Sequence, residues 1–145
     1  MTWPLTHVGG DPGPLKQWKD IPDSKPCIIK GIQSAANVHK AVEVGVDGIV
    51  VSNHARRHVD GAIASLDALK KIVGAVGEKT YFMYDSGIRG ASDVLKALVL
   101  GAKFVFVGRL WVWRLSAGGE EGVRHIMKSL LAELDILMNV SGYPD

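Results

Sequence analysis

Four short apolar runs, each followed by an amphipathic segment, constrain the fold of this chain more than any other feature. The runs lie at residues 26–30, 48–52, 80–85 and 104–108. They are continuously apolar and do not alternate, which is typical of strands buried on both faces of a parallel sheet. The sequence therefore predicts an α/β fold made of four successive βα units.

The segments between these runs have apolar residues at three- and four-residue steps, as helices with one buried face do. The last of these helices is expected at about 120–138. Residues 1–25 are expected to be irregular apart from a short helix at about 15–20, and 141–145 to form a tail. The residues expected to begin or end the first three helices are Ser34, Gly45, Ser65, Ala91 or Ser92, and Gly101.

The length of 145 residues excludes a complete eight-fold β/α barrel, which needs about 250 residues. A net charge of +2 does not by itself indicate a nucleic-acid partner. Cys27 is the single cysteine, so the chain has neither an intramolecular disulfide nor a multi-cysteine zinc site. Because Cys27 lies in an apolar run, we expect a buried, inert thiol.

Nothing in the sequence predicts a signal peptide, a membrane-spanning helix or a C-terminal peroxisomal signal. The proline- and glycine-rich start lacks the apolar stretch of a signal peptide. A cytoplasmic protein without a membrane or nucleic-acid partner is therefore expected.

Polar residues occur where each predicted strand ends. Taken singly, Lys30 and Arg57 could be solvated surface charges, His54 an ordinary loop histidine, and Asp85 a cap of the following turn. Because the carboxyl ends of parallel strands share one edge of the sheet, their coincidence there predicts one functional site. The residues at the four strand ends are Lys30; Ser52, Asn53, His54, Arg56 and Arg57; Asp85, Ser86, Gly87 and Arg89; and Gly108 and Arg109.

Two of these strand ends pair a glycine with an arginine, at Gly87–Arg89 and at Gly108–Arg109. Glycine lets backbone N–H groups approach a phosphate, and arginine adds a forked, charge-assisted clamp. In β/α barrels the loops after the last two strands commonly form a phosphate site. The pairing indicates a phosphorylated cofactor or substrate.

The order of these motifs resembles the FMN-dependent α-hydroxy acid dehydrogenases and oxidases, the family of glycolate oxidase, lactate oxidase, lactate monooxygenase and flavocytochrome b2. The resemblance covers about 26–140 and implies the last four βα units of an eight-fold barrel. The sequences of residues 85–89 and 97–102 look most like those of lactate oxidase or lactate monooxygenase. The matching motifs are Lys30–Gln33, Val51–His54, Arg57, Asp60–Ala62, Asp85–Arg89 and Val107–Arg109.

This resemblance implies a role for each residue of the site. His54 would take a proton from a 2-hydroxy acid such as lactate, and Asp85 would orient His54. Arg57 would bind the substrate carboxylate. The cofactor FMN would be held by Lys30 and Ser52 near the flavin, and its phosphate by Gly87, Ile88, Arg89, Gly108 and Arg109; Asp85 and Ser86 are also among the residues expected to bind the cofactor. No metal is implied.

The chain departs from the family in the loop that follows the histidine. The usual family sequence is His-Gly-Gly-Arg-Gln. In this chain, residues 54–58 read His-Ala-Arg-Arg-His, so Ala55 and Arg56 replace the two glycines and His58 replaces the glutamine. If those positions need a positive φ, side chains there cost about 1–2 kcal/mol each. Leu110 stands where the family usually has proline. The bulky residues Trp111, Trp113 and Arg114 are expected to pack rather than function.

Three hypotheses follow. The first is an FMN-dependent oxidoreductase whose other half-barrel comes from a second copy, from a complementary chain, or from a longer protein of which this is a fragment. The second is a non-catalytic pseudoenzyme that keeps only part of the FMN-binding motifs. The third is a phosphate-binding barrel of the inosine-monophosphate dehydrogenase type. That type uses a cysteine in a loop, and Cys27 lies in a predicted strand.

Overall fold

The computed structural model of the chain describes residues 25–143. The four strands form one parallel sheet in the order β1-β2-β3-β4, so the predicted succession of βα units is confirmed. The predicted short helix at about 15–20 lies outside the described residues. The elements are β1 (Ile28–Lys30), α1 (Ala35–Glu43), β2 (Gly48–Val51), a 3-10 turn (His54–Arg56), α2 (Ser65–Val76), β3 (Tyr81–Tyr84), α3 (Ala91–Val99), β4 (Phe104–Val105) and α4 (Arg109–Ser141).

The strands differ in burial according to their place in the sheet. Every residue of β2 is buried, and so are three of the four residues of β3. On the outer strands, Ile28 of β1 is 48% exposed and Phe104 of β4 is 51% exposed. Burial on both faces was therefore predicted correctly for β2 and wrongly for β1 and β4. An outer strand has a neighbour on one side only, which leaves its side chains less covered.

The core lies between the sheet and the helices packed on one of its faces. Ile49 and Val51 of β2 meet Val38 of α1 and Leu69 and Ile72 of α2, and all five are fully buried. Burying one such side chain contributes about 1.5–3 kcal/mol. This buried layer fixes the positions of β2 and β3, and therefore of the loops that follow them.

The last helix begins earlier than its apolar pattern predicts. It runs from Arg109, not from about residue 120, and it is broken at Gly118 and Gly119. Gly119 has a φ of +57°, and a Cβ at Gly122 would lie 2.5 Å from the backbone oxygen of Arg114. The predicted helix is the segment after the break. The segment before it, 109–117, carries the residues that follow β4.

Two local predictions were wrong. Ser65 is the first residue of α2 and not its N-cap, which is Ala64; its hydroxyl instead accepts a hydrogen bond from the Asn53 amide. Cys27 is half-buried and precedes β1, so it lies neither inside a strand nor fully in the core. The N-cap Ser34 was predicted correctly, since its side chain accepts from the Asn37 amide.

The strands are also shorter than their apolar runs. Ser52, Asp85 and Gly108, which end the predicted runs, lie beyond the strands and belong to the loops. Among residues 25–143, no helix has both the length and the hydropathy needed to span a membrane.

Candidate active site

A cleft of about 420 Å³ opens at the carboxyl ends of the four strands. Of the residues to which the family resemblance assigns a role, all but one line the cleft, so the structure brings them together, whereas the strand-end residues Asn53 and Arg56 do not line it. The exception, Ser52, is buried and bonds to Asp85. The predicted residues that line the cleft are Lys30, His54, Arg57, Asp85, Ser86, Gly87, Ile88, Arg89, Gly108 and Arg109.

Asp85 joins the ends of three strands. Its Oδ2 accepts a hydrogen bond from Ser52 Oγ at 2.6 Å and lies 3.0 Å from Lys30 Nζ. Burial alone would raise the pKa of this carboxyl, but the hydrogen bonds from Ser52 and Lys30, the charge of Lys30 and the Ser86 amide lower it below its ordinary value of 3.8. Asp85 is therefore a carboxylate at neutral pH.

The residues after β2 form a left-handed turn. His54, Ala55 and Arg56 have φ values of 50°, 55° and 58°. For residues with a Cβ this backbone costs about 1–2 kcal/mol each. The positive φ that the family glycines suggested is thus confirmed at Ala55 and Arg56. Something else in the structure must hold the turn.

Asn53 closes the loop that contains this turn. Its amide donates to Ser65 Oγ at 3.0 Å, and its Nδ2 donates to the Ile63 carbonyl at 3.0 Å. Its Oδ1 accepts from the Arg56 amide at 3.3 Å. Asn53 was predicted at the strand end without a role of its own, and Ser65 was predicted only as the start of a helix. An asparagine directly before a turn is the one sequence signal that indicates such a side-chain cap.

The His54 imidazole faces the cleft and stacks on a second histidine. Its ring centroid lies 4.5 Å from that of His58, with 27° between the ring planes. Within residues 25–143, Asp85 makes its side-chain hydrogen bonds and ion pair with Ser52, Ser86 and Lys30 and not with the His54 ring. The link to His54 runs through its backbone, because the His54 amide donates to Ser52 Oγ at 3.0 Å. That Asp85 orients the imidazole stays a prediction.

The residues predicted to clamp a phosphate, Gly87–Arg89 and Gly108–Arg109, also line the cleft. Gly108 is the N-cap of α4 and has no side chain that caps the helix, and a Cβ built on it would meet nothing within 4 Å. The Trp111 amide donates to the Gly108 carbonyl at 3.2 Å. The start of α4, together with the guanidinium groups of Arg89 and Arg109, provides a donor set suited to a phosphate.

The cleft is strongly cationic. Its described lining holds four cations, Lys30, Arg57, Arg89 and Arg109, against the carboxylate of Asp85. Three net positive charges thus face one cleft, whereas the whole chain carries +2. The donor set therefore favours anionic ligands, such as a phosphate and a carboxylate. No group of three or more His, Cys, Asp or Glu side chains suited to a metal occurs among residues 25–143.

The tryptophans after Arg109 do not pack as predicted. Trp111 is 39% exposed and Trp113 is 60% exposed, and both line the cleft. The Arg109 guanidinium lies 6.0 Å from the Trp113 ring centroid. The prediction was wrong: α4 already begins at Arg109, and its first turns line the cleft.

Comparison with known proteins shows the family. The sequence pattern of the FMN-dependent dehydrogenase family matches residues 15–145, and the chain belongs to that family. It is 44% identical over 136 residues to an FMN-dependent alpha-hydroxy acid dehydrogenase of Schizosaccharomyces pombe, covering 90% of this chain and 33% of that protein. An L-lactate oxidase of Nostoc is 44% identical over 143 residues, covering 95% of this chain and 39% of its own length. 2-Hydroxyacid oxidase 1 of Mus musculus is 45% identical over 134 residues, covering 89% and 36%.

Solved structures agree with the fold. Mandelate oxidase crystallised with benzoyl-formic acid superposes with a TM-score of 0.84 at 38% identity, over 92% of this chain and 40% of that chain. The chain thus spans between about a third and two fifths of the length of these relatives. Its four βα units form a partial barrel, as the sequence predicted. FMN is the cofactor of the family.

Proposed function

We propose that this chain is the FMN-binding, proton-abstracting part of an oxidoreductase that converts an L-2-hydroxy acid, such as lactate, into the 2-keto acid. The observation that carries the proposal is the cationic cleft at the strand ends, where His54, Arg57 and Asp85 meet the Arg89–Arg109 side. The relatives' names add support, since one is an L-lactate oxidase and another a 2-hydroxyacid oxidase.

The residues present suit FMN. Arg89, Arg109 and the open backbone at Gly108 match the charge and donor geometry that a phosphate needs. Lys30 would lie at the electron-rich edge of the flavin, where a cation stabilises added negative charge. Bound there, FMN would take up the two electrons that leave the substrate.

The protein would bind the acid and move its proton. Arg57 would hold the substrate carboxylate with its forked N–H groups. His54 would accept the proton, and the Asp85 carboxylate nearby would favour the imidazolium that results. The bulk of Trp111 and Trp113 along the wall would limit the substrate side chain and exclude water.

The missing strands and the cellular location are part of the proposal. Within the described residues β1 and β4 each pair on one side only, so a second copy, a complementary chain or the remainder of a longer protein could complete the sheet. We place the protein in the cytoplasm on sequence grounds alone.

The test is reconstitution of the purified chain with FMN, followed by anaerobic addition of L-lactate. We expect a yellow protein that bleaches, and we expect His54→Ala to keep the flavin but to bleach about 10²–10⁴-fold more slowly. His39→Ala, at an exposed histidine of α1, is the matched control and should bleach like the wild type.

Two outcomes would overturn parts of this proposal. A colourless protein after reconstitution would contradict FMN binding by this chain. A yellow protein that no 2-hydroxy acid bleaches would favour the non-catalytic alternative, which the side chains at Ala55 and Arg56 in the left-handed turn support. The third hypothesis is disfavoured, since Cys27 precedes β1 and so lies at the opposite end of that strand from the cleft.

A further inference from the structure

The left-handed turn that carries His54 is attached to the loop after β3 by a side chain. The Ala55 amide donates a hydrogen bond to Ser86 Oγ at 3.1 Å, across 31 residues of sequence. Ser86 itself has a φ of 89°, a left-handed value that residues with a Cβ rarely adopt. Two uncommon backbone conformations are therefore joined by one hydrogen bond.

The proton of the Ser86 hydroxyl has two acceptors in reach, and both lead to the Asp85 carboxylate. A serine hydroxyl has one proton to donate and lone pairs that accept. The acceptors in reach of that proton are Asp85 Oδ2 at 3.5 Å and Ser52 Oγ at 3.3 Å. Because the Ser52 proton already goes to Asp85 at 2.6 Å, either choice connects Ser86 to the carboxylate, directly or through Ser52, and leaves a lone pair for the Ala55 amide.

The same pattern occurs one residue earlier in the turn. The His54 amide donates to Ser52 Oγ, and Ser52 donates to Asp85. Two successive amides of the turn are thus connected through two hydroxyls to one carboxylate. Hydrogen bonds arranged in such chains polarise and strengthen one another, most of all when they end on an anion.

We propose that Ser86 is a positioning residue for His54, because its hydroxyl holds the left-handed turn at Ala55 against the Asp85 carboxylate. The inference rests on the proposed role of His54 as the base. It assigns Ser86 a role beyond the predicted contact with the cofactor. The role requires the hydroxyl, not the side-chain volume.

Three variants separate this role from a general loss of stability. Ser86→Ala removes the hydroxyl and keeps the left-handed strain at residue 86, whereas Ser86→Gly removes the hydroxyl and relieves that strain. Ala55→Gly relieves the strain at the other end of the hydrogen bond. Ser92→Ala, at an exposed serine in the first turn of α3, is the matched control.

The first measurement needs neither flavin nor turnover. Solvent exchange of the Ala55 amide, followed by NMR, should be about fivefold faster in Ser86→Ala and in Ser86→Gly, a ratio that corresponds to one net hydrogen bond. The His54 imidazole signals should shift in both variants and not in Ser92→Ala. Adding Ala55→Gly to Ser86→Ala should return the His54 signals toward their wild-type positions, because glycine adopts the turn without the hydroxyl.

The second measurement uses the flavin-loaded chain. Ser86→Ala should slow bleaching by a 2-hydroxy acid about tenfold. The substrate concentration that gives the half-maximal rate should not change. Adding Ala55→Gly to Ser86→Ala should restore most of the rate. Unchanged Ala55 exchange in both Ser86 variants would overturn the inference. So would an Ala55→Gly effect of equal size with and without Ser86, since coupled residues must show a non-additive difference. Failure of the wild type to bleach would overturn the proposed function alone and leave the exchange measurement decisive for Ser86.

Discussion

The two central strands and the two outer strands contribute to the cleft in different ways. Behind β2 and β3, the side chains of Ser52, Asn53, Asp85 and Ser86 are joined to one another or to the backbone by hydrogen bonds. Among residues 25–143, the loop after β4 has no comparable set of side-chain hydrogen bonds, and Arg109 and the tryptophans are exposed. Lys30, at the end of β1, reaches the centre through one ion pair and is otherwise half-exposed.

The difference indicates that the central strand ends stabilise the fold, whereas the outer strand ends mainly contact the ligand. The centre of the sheet is organised before any ligand binds, because its polar groups are buried or bonded. The outer strand ends offer charge and aromatic surface with little internal support. Substitutions at the centre should therefore change the stability of the fold, and substitutions at the β4 end should change ligand affinity alone.

The largest expected contrast is between an isoleucine of β2 and one of β1. Ile49→Ala should lower the free energy of unfolding by about 2–5 kcal/mol, because Ile49 is fully buried and the truncation leaves a cavity. Ile28→Ala, at a residue that is 48% exposed, should cost less than about 1 kcal/mol. Urea unfolding of the two variants measures both values, and equal costs would contradict the comparison.

The second contrast concerns the Asp85 carboxylate. Since its pKa in the folded chain lies below the ordinary 3.8, its stabilising effect is present above that value and is lost as the pH falls through the folded pKa. Asp85→Asn should cost about 1.5–3 kcal/mol at neutral pH, the range for hydrogen bonds to charged groups. The difference from wild type should shrink as the pH falls below 3.8.

Thermal unfolding across that pH range checks the prediction for Asp85. Asp135→Asn, at an exposed aspartate of α4, serves as the control and should behave like the wild type. A difference between Asp85→Asn and wild type that persists undiminished at the lowest pH would show that the charge of Asp85 is not what stabilises the centre.

The smallest effect on stability is expected at Arg109. Arg109→Gln should change the free energy of unfolding by less than about 0.5 kcal/mol, as surface substitutions do. It should weaken FMN binding about tenfold or more, because a charge-assisted bond to the phosphate is lost. Fluorescence titration with FMN compares it with Arg114→Gln, an exposed arginine of the same helix segment that does not line the cleft. Equal losses in both variants would contradict a specific clamp.

The sequence predicted the succession of strands and helices because the period of apolar residues reflects burial. It also predicted most of the charged residues that meet at the cleft, though not Trp111 and Trp113, since parallel strands place their carboxyl ends at one edge. The apolar pattern alone could not predict the exposure of β1 and β4, because an apolar run does not show whether a strand has one neighbour or two. The early start of α4 was also missed. Residues 109–117 have no polar face that would mark a surface helix, and Gly118 and Gly119 interrupt α4 before its amphipathic part.

The hydrogen bonds of the centre were the least predictable part of the site. Ser65 has the residue type and position of an N-cap, and only the three-dimensional path of the loop shows that it receives the Asn53 amide. The contact between Ser86 and Ala55 joins residues 31 positions apart and depends on the strand register. The sequence of the loop did indicate one feature, the positive φ at Ala55 and Arg56, because the family usually has glycines at these two positions.

The concentration of cations around the cleft has a consequence for kinetics. Like charges gathered in a concave surface produce a field that extends beyond contact distance and speeds the diffusional arrival of anions. The reach of that field is set by the Debye length, about 10 Å at 0.1 M salt and about 3 Å at 1 M. Lys30, Arg57, Arg89 and Arg109 should therefore act on an approaching phosphate or carboxylate before any hydrogen bond forms. The association rate of anionic ligands should fall as salt is added.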